Sequence, residues 1–256
     1  MNKDAAPAQL ITTRPAGDSR ALAALLAELP LQVCMLPASE PQLRPWQGAL
    51  AAALVSPADL YFFPSRHAVG VLQHIPEEQR QWWRCACPGH GTARALRALG
   101  VREIICPAEE HTTEALLAMP ELRMQAGQRV LVLAAPGGRT LLAQALQQRG
   151  ALVETVMVYD RVEPEPPADT LQHLQTQHGA LLSLVTSSQG LRYLHRVFSA
   201  SLWQRVAAGT MLLPSQRVAE QAADFGVVNS VVIAPPENAR IAAYIRTNFD
   251  TLTMQR

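Results

Sequence analysis

The sequence has almost no lysine. Among its 22 basic side chains Lys3 is the only lysine, and the rest are arginine. Schiff-base enzymes, pyridoxal enzymes and P-loop NTPases all need a lysine inside the fold, so these three classes are excluded. Cysteine is sparse as well. Cys34, Cys85, Cys87 and Cys106 form no CxxC pair and no zinc-type pair of pairs. Cys85 and Cys87 with His90 make half a metal set, and free thiols of this kind are ordinary core residues. No HExxH and no GxSxG elbow occurs, and His173 with His178 lies on a polar stretch that reads as surface. GHGTAR has Arg94 where a dinucleotide fingerprint carries its third glycine. No metal and no cofactor is therefore expected.

Net charge is small too, +1 at pH 7, which argues against holding nucleic acid by bulk phosphate attraction. No hydrophobic run approaches the length of a membrane span, and the opening MNKDAAPAQL has no apolar signal region. The expectation is a reduced, cytoplasmic, monomeric protein with no nucleic-acid or membrane partner.

What the sequence does have is a repeat. LYFFPSRHAVGVL (60–72) and LSLVTSSQGLRYL (182–194) are nearly the same phrase: an apolar run, a small polar turn and a helically spaced segment. Ala68, Val71, Leu72 and Ile75 share one helical face, as do Leu191, Leu194 and Phe198, with Ser65 and Ser187 in the cap position. Two further pairs follow. QLITTRPAGDSRALAALLAELPLQV, with Leu22, Leu25, Leu26 and Leu29 on one face, is answered by the stretch from Arg129 with Leu142, Ala145 and Leu146. CPGHGTARALRALG is answered by LLPSQRVAEQAADFG, and Gly100 and Gly226 close the two helices.

Strands alternating with helices in this way predict an α/β fold of two small doubly wound parallel-sheet domains, related by internal duplication. Proline-rich stretches stand at equivalent points of the two copies, around Pro37, Pro41 and Pro45 and around Pro164, Pro166 and Pro167. If both are crossovers, one domain is discontinuous, built from 1–37 and 166–256. The second spans 42–157, and 38–41 with 158–165 form a two-segment hinge.

In a parallel sheet a ligand lies beyond the carboxyl ends of the strands, where the strand–helix turns are. These turns are TTRPAG, PSRHA, GHGTA, APGGRT, TSSQG and PSQR. Backbone N–H groups at helix starts, flanked by hydroxyls and arginines, suit a ligand with many anionic groups. The candidate binding residues are Thr13, Arg14, Ser65, Gly89, Thr92, Gly138, Arg139, Ser187, Ser188, Ser215 and Arg217. Each also has an ordinary explanation: the hydroxyls cap helices, the glycines permit tight turns, and the arginines are solvated charges.

Several of these segments, in this order, resemble the uroporphyrinogen-III synthase family over essentially the whole chain. They are TRPAG (13–17), SRHAV (65–69), GHGTA (89–93), TTEALLAMPEL (112–122), GGRTLLAQALQQRGALVETVMVYDR (137–161), VTSSQGL (185–191) and PSQRVAEQAADFG (214–226). The resemblance implies two α/β domains joined by a two-stranded ladder. It also implies closure of linear hydroxymethylbilane to uroporphyrinogen III, with loss of water, inversion of the last pyrrole ring and no cofactor. That substrate carries eight carboxylates. A transient contact with the enzyme that supplies it would follow.

Tyr159 in VYDR matches the family's interdomain tyrosine and is the candidate to assist the leaving hydroxyl; its alternative is a plain strand tyrosine. Thr92, Ser65, Ser187 and Ser215 match cleft positions. Ala134 and Ala135 replace an Arg-Gly common in relatives, and Pro64 replaces a Thr. The competing reading is a non-catalytic, two-domain cytoplasmic binder or sensor of a small polyanion.

Overall fold

Strands that are apolar at every position, rather than alternately, are buried on both faces. Ala8–Thr12 (β1) is buried at all five residues, its polar Gln9 and Thr12 included. It is followed by Leu31–Met35 (β2), Glu40–Leu43 (β3), Leu60–Phe62 (β4), Arg84–Ala86 (β5) and Glu103–Ile105 (β6). The later strands are Arg129–Ala134 (β7), Leu152–Met157 (β8), Tyr159–Val162 (β9), Leu181–Leu184 (β10), Thr210–Leu213 (β11) and Asn229–Val232 (β12). The computed structural model describes residues 7–110, 112–138, 140–177 and 179–253.

The chain forms two compact units, Met1–Glu40 with Val162–Arg256, and Pro41–Arg161. The first contains a five-stranded sheet in the order β12-β11-β10-β1-β2, parallel throughout. The second contains another, β6-β5-β4-β7-β8, also parallel. Reading β7, β8, β4, β5 and β6 for β1, β2, β10, β11 and β12 converts one order into the other. The threefold match in sequence is thus a duplication of a doubly wound sheet.

Each sheet is packed on both faces, because alternate residues along a strand point to opposite sides. In the first unit Leu10, Leu182 and Leu212 face the helices Ala16–Leu25 and Asn238–Thr253, in a cluster with Leu22, Ile241 and Ile245. Ile11, Met211 and Leu213 face the opposite way, onto Leu191, Leu194 and Trp203. In the second unit Leu60, Phe62, Val130 and Val132 pack with Leu116, Leu142 and Leu146. On the other face Tyr61, Leu131 and Leu133 pack with Leu72, Leu96 and Tyr159.

The third sheet is the two-stranded ladder of β3 and β9. Arg44 donates from Nε and Nη2 to the two carboxylate oxygens of Asp160, at 2.8 and 2.7 Å. This pairing holds the Asp160 carboxyl below its ordinary range. The Arg44 N–H also donates to Val158 O at 2.9 Å.

Local departures have local causes. The helix expected through Ile75 stops early: Arg66–Val69 is α-helical and Gly70–His74 is a 3₁₀ turn. Ile75 precedes Pro76 and must be extended, at φ −103° and ψ 127°. The first helix likewise ends at Leu25, leaving Leu29 beyond it. Gly100 and Gly226 each sit just past a helix with φ +84°, where a side chain would be strained.

Gly209 is required for a different reason. A Cβ there would lie 2.3 Å from Leu181 O, backbone that cannot swing away. Gly209→Ala should therefore destabilise the protein by about 1–3 kcal/mol. Gly17, inside a helix with nothing within 4 Å of a built Cβ, gives the opposite expectation: Gly17→Ala should add about 0.4–1 kcal/mol. Urea denaturation of the two variants checks both signs.

Candidate functional site

Parallel strands deliver every strand–helix turn to the same edge of their sheet, and the candidate residues fall on those edges. In the first unit β1, β10 and β11 are neighbours, so Thr13 and Arg14, Ser187 and Ser188, and Ser215 and Arg217 emerge side by side. In the second, β7, β4 and β5 are neighbours, bringing out Gly138, Ser65, and Gly89 with Thr92. Arg139 lies outside the described residues.

The turns differ in how much they leave free. The first one is closed by the chain itself. Thr13 is buried, its N–H donates to Leu184 O at 3.2 Å, and its carbonyl accepts from Ala38 N at 3.0 Å. Its hydroxyl fills the space where a Cβ on Gly190 would stand, 2.5 Å away. Arg14 donates to Asn238 Oδ1 and pairs with Asp18 at 3.6 Å. The helix start itself is occupied: Ala16 N donates to the Glu40 carboxylate at 2.6 Å. An internal carboxylate thus holds the position expected of a ligand's.

The next two turns are partly open. Ser187 caps the helix Ser188–Val197, its Oγ accepting from Gly190 N at 3.0 Å. Ser188 and Arg217 are brought together, Nη1 donating to Oγ at 3.3 Å. Ser215 stands at the start of the helix Gln216–Asp224, yet its side chain makes no capping bond. It is the uncommitted hydroxyl of this edge.

In the second unit Ser65 Oγ accepts from His67 N at 3.3 Å, a cap on the short helix Arg66–Val69. Gly89 is the cap residue of the helix His90–Ala98. Thr92, weighed as a cap, sits instead inside that helix, buried, with its N–H donating to Gly89 O at 3.0 Å. Gly138 is exposed, following Gly137 with φ +69°.

Tyr159 stands at the first position of β9 and packs into the core of its unit, 2% exposed. Its hydroxyl makes no hydrogen bond among the described residues, although the side chain is buried. Beside it lies His67, ring centroids 6.1 Å apart and tilted by 55°. Burial, followed by the positive charges of Arg66 and Arg161, depresses the imidazole pKa from 6.5 to about 4. His67 is therefore neutral at physiological pH.

The sequence marks Tyr159 through VYDR but does not single out His67 within SRHAV. Nothing local marks it, because its partner is brought in by a strand far along the chain. Glu40 and Asn238 were missed for the same reason.

The thiols offer little chemistry. Burial raises Cys34 to about 11 and Cys87 to about 12, and pushes Cys85 higher still, so all three stay protonated. No group of three or more metal-ligating side chains occurs among the described residues, and no described helix is long and apolar enough to cross a membrane.

Comparison with known proteins agrees with this arrangement. Residues 20–243 match the family described as uroporphyrinogen-III synthase HemD. The chain is 31% identical over 182 residues to the uroporphyrinogen-III synthase of Escherichia coli, covering 68% of this chain and 73% of that protein. It is 31% identical over 204 residues to that of Synechococcus elongatus, covering 75% of each. Among solved structures, the uroporphyrinogen-III synthetase of Helicobacter pylori superposes with a TM-score of 0.61 at 14% identity, covering 93% of this chain and 99% of that one. A mutant uroporphyrinogen III synthase of Thermus thermophilus gives 0.52 at 18% identity, covering 95% and 99%. These structural likenesses bear on the fold.

Two serines separate capping from ligand binding. Ser187→Ala removes a formed cap bond and should cost about 1 kcal/mol of stability, whereas Ser215→Ala should change it by only a few tenths. Paired melting curves check this. A second expectation concerns pH. The unfolded histidine binds a proton below pH 6.5 while folded His67 resists until about pH 4. Stability is thus lost as pH falls through that window. His67→Gln should remove that part of the loss, read as a flatter urea midpoint between pH 6.5 and 4 than in the wild type.

Proposed function

Because the chain belongs to the uroporphyrinogen-III synthase family, we propose that it closes hydroxymethylbilane to uroporphyrinogen III, acting as a cofactor-independent hydro-lyase of tetrapyrrole and haem biosynthesis. The observation that carries this reading is the set of turns at the carboxyl edge of each parallel sheet. They offer amide N–H groups, hydroxyls and arginine where a substrate with eight carboxylates needs donors. Ser188 with Arg217, Ser215, Ser65 and the Gly89 turn are the donors we assign to substrate carboxylates. The first turn keeps Glu40 in that role and contributes structure instead.

The reaction makes two demands. The hydroxyl of the terminal hydroxymethyl group must leave, and the last ring must be held turned while the new bond forms. Orientation by many weak donors answers the second demand. Tyr159 answers the first: a phenol on a rigid, buried ring, with no hydrogen bond of its own among the described residues, donates its proton to the departing hydroxyl.

The test is the isomer formed. Uncatalysed closure gives the type I isomer. The purified protein, without added metal or nucleotide, should give type III, and dialysis against a chelator should leave the rate unchanged. An unchanged proportion of type I would remove the reading. Tyr159→Phe should lower kcat by roughly 10²-fold or more. Ser65→Ala, which loses one neutral hydrogen bond of about 0.5–1.5 kcal/mol, should lower activity only a few-fold to about tenfold. Retention of half the activity by Tyr159→Phe would remove the general-acid role.

A further inference from the structure

The duplication supplies an internal control for the Tyr159 neighbourhood. In both units the second residue after the capping serine reaches the segment that follows the sheet's edge strand. In the first unit that residue is Gln189, whose Nε2 donates to Ala38 O at 3.3 Å, just beyond β2. In the second it is His67, set against Tyr159 just beyond β8. The equivalence is close, since Leu36 N donates to Thr12 O in one unit and Val158 N to Ala134 O in the other, both at 2.9 Å. One copy thus uses an amide to tie two segments together. The other places two proton-handling side chains there instead.

We propose that His67 is a catalytic residue in its own right, the proton acceptor that complements Tyr159 as donor. The assignment rests on the synthase reading above and extends it by a residue.

The reaction's proton balance calls for such a group. When the C–O bond breaks, its electron pair leaves with oxygen, and the Tyr159 proton completes a water molecule. For the last ring to be turned, its bridged α-carbon first bonds to the terminal methylene with its π electrons, and the bond from that carbon to its old bridge then breaks. The ring's free α-carbon bonds to the released bridge methylene and is left carrying one hydrogen too many. That hydrogen must depart as a proton for the pyrrole to recover its aromaticity. A donor alone leaves it without a destination. A neutral imidazole accepts it at a ring nitrogen, and return of the proton from imidazolium to phenolate restores both side chains. Nothing is oxidised or reduced.

His67 has the features of an acceptor. Its ring nitrogens make no hydrogen bond among the described residues and are not sealed, so a lone pair is available. It is half-buried and neutral. The charges that disfavour its protonated form, Arg66 and Arg161, are those that substrate carboxylates would offset. Binding therefore raises its basicity at the moment it is used. Tyr159 is the other titratable group facing it.

The experiment substitutes the residue found in the other copy. His67→Gln keeps an amide of similar reach, as at Gln189. It should lower kcat by roughly 10²-fold with KM changed less than about twofold and an unchanged melting temperature. His67→Gln combined with Tyr159→Phe should be scarcely slower than Tyr159→Phe alone, because two groups acting as one unit are not additive.

His67→Ala provides the second measurement. Added imidazoles should restore turnover, and the restored rate should rise with the basicity of the imidazole, which a packing role would not produce. Retention of half the wild-type kcat by His67→Gln, or rescue independent of imidazole basicity, overturns the proposal. If the wild-type protein yields only the type I isomer, the synthase reading itself fails. If it yields type III while His67→Gln is as fast, only the assignment of His67 fails.

Discussion

Parallel pairing is the constraint from which the rest follows. A parallel strand cannot be joined to its neighbour by a tight turn, so each pair requires a crossover, here mostly helical. Crossovers on both faces bury the central strands and leave the turns at the sheet's carboxyl edge as a place where polar groups gather without cost. The apolar strands, the paired clusters on either face of each sheet, and the collection of serine, threonine, glycine and arginine at one edge are consequences of that geometry.

Duplication then allowed the two copies to diverge within one geometry. The first turn of the first unit has become structural: Thr13 is locked against Gly190, Arg14 is held by Asn238 and Asp18, and Glu40 occupies the helix start. The neighbouring turns keep Ser215 and the Ser188–Arg217 contact near the surface. In the second unit the buried ring of Tyr159 lies beside a neutral histidine.

Much of the architecture was legible from the residues. Hydrophobic period and turn chemistry are local properties, so the strand–turn–helix units, their repetition and the closing glycines Gly100 and Gly226 could be read directly. The failures were non-local or steric. Pro76 acts backwards on Ile75 and shortens a helix that periodicity alone would continue. Thr92 reads as a cap until the helix is seen to begin at His90, behind Gly89. The fate of Arg14 depends on Asn238, and the role of His67 on Tyr159. In each case the partner arrives from a distant segment, carried by strand order that no local pattern encodes.

The discontinuity of the first unit has a temporal consequence. The ribosome releases β1 and β2 first, but their remaining partner in the sheet, β10, begins only at Leu181. The whole of Pro41–Arg161 emerges in between, with all five strands of its own sheet contiguous in the chain. Domains fold as units in the order in which they are completed. The inserted unit is therefore finished during synthesis while Ala8–Met35 still lacks its neighbour. The amino-terminal strands must wait, with apolar Leu10 and Ile11 uncovered, until the carboxyl-terminal third of the chain has been made. Apolar strands left unpaired in this way are the kind of surface through which a nascent chain aggregates.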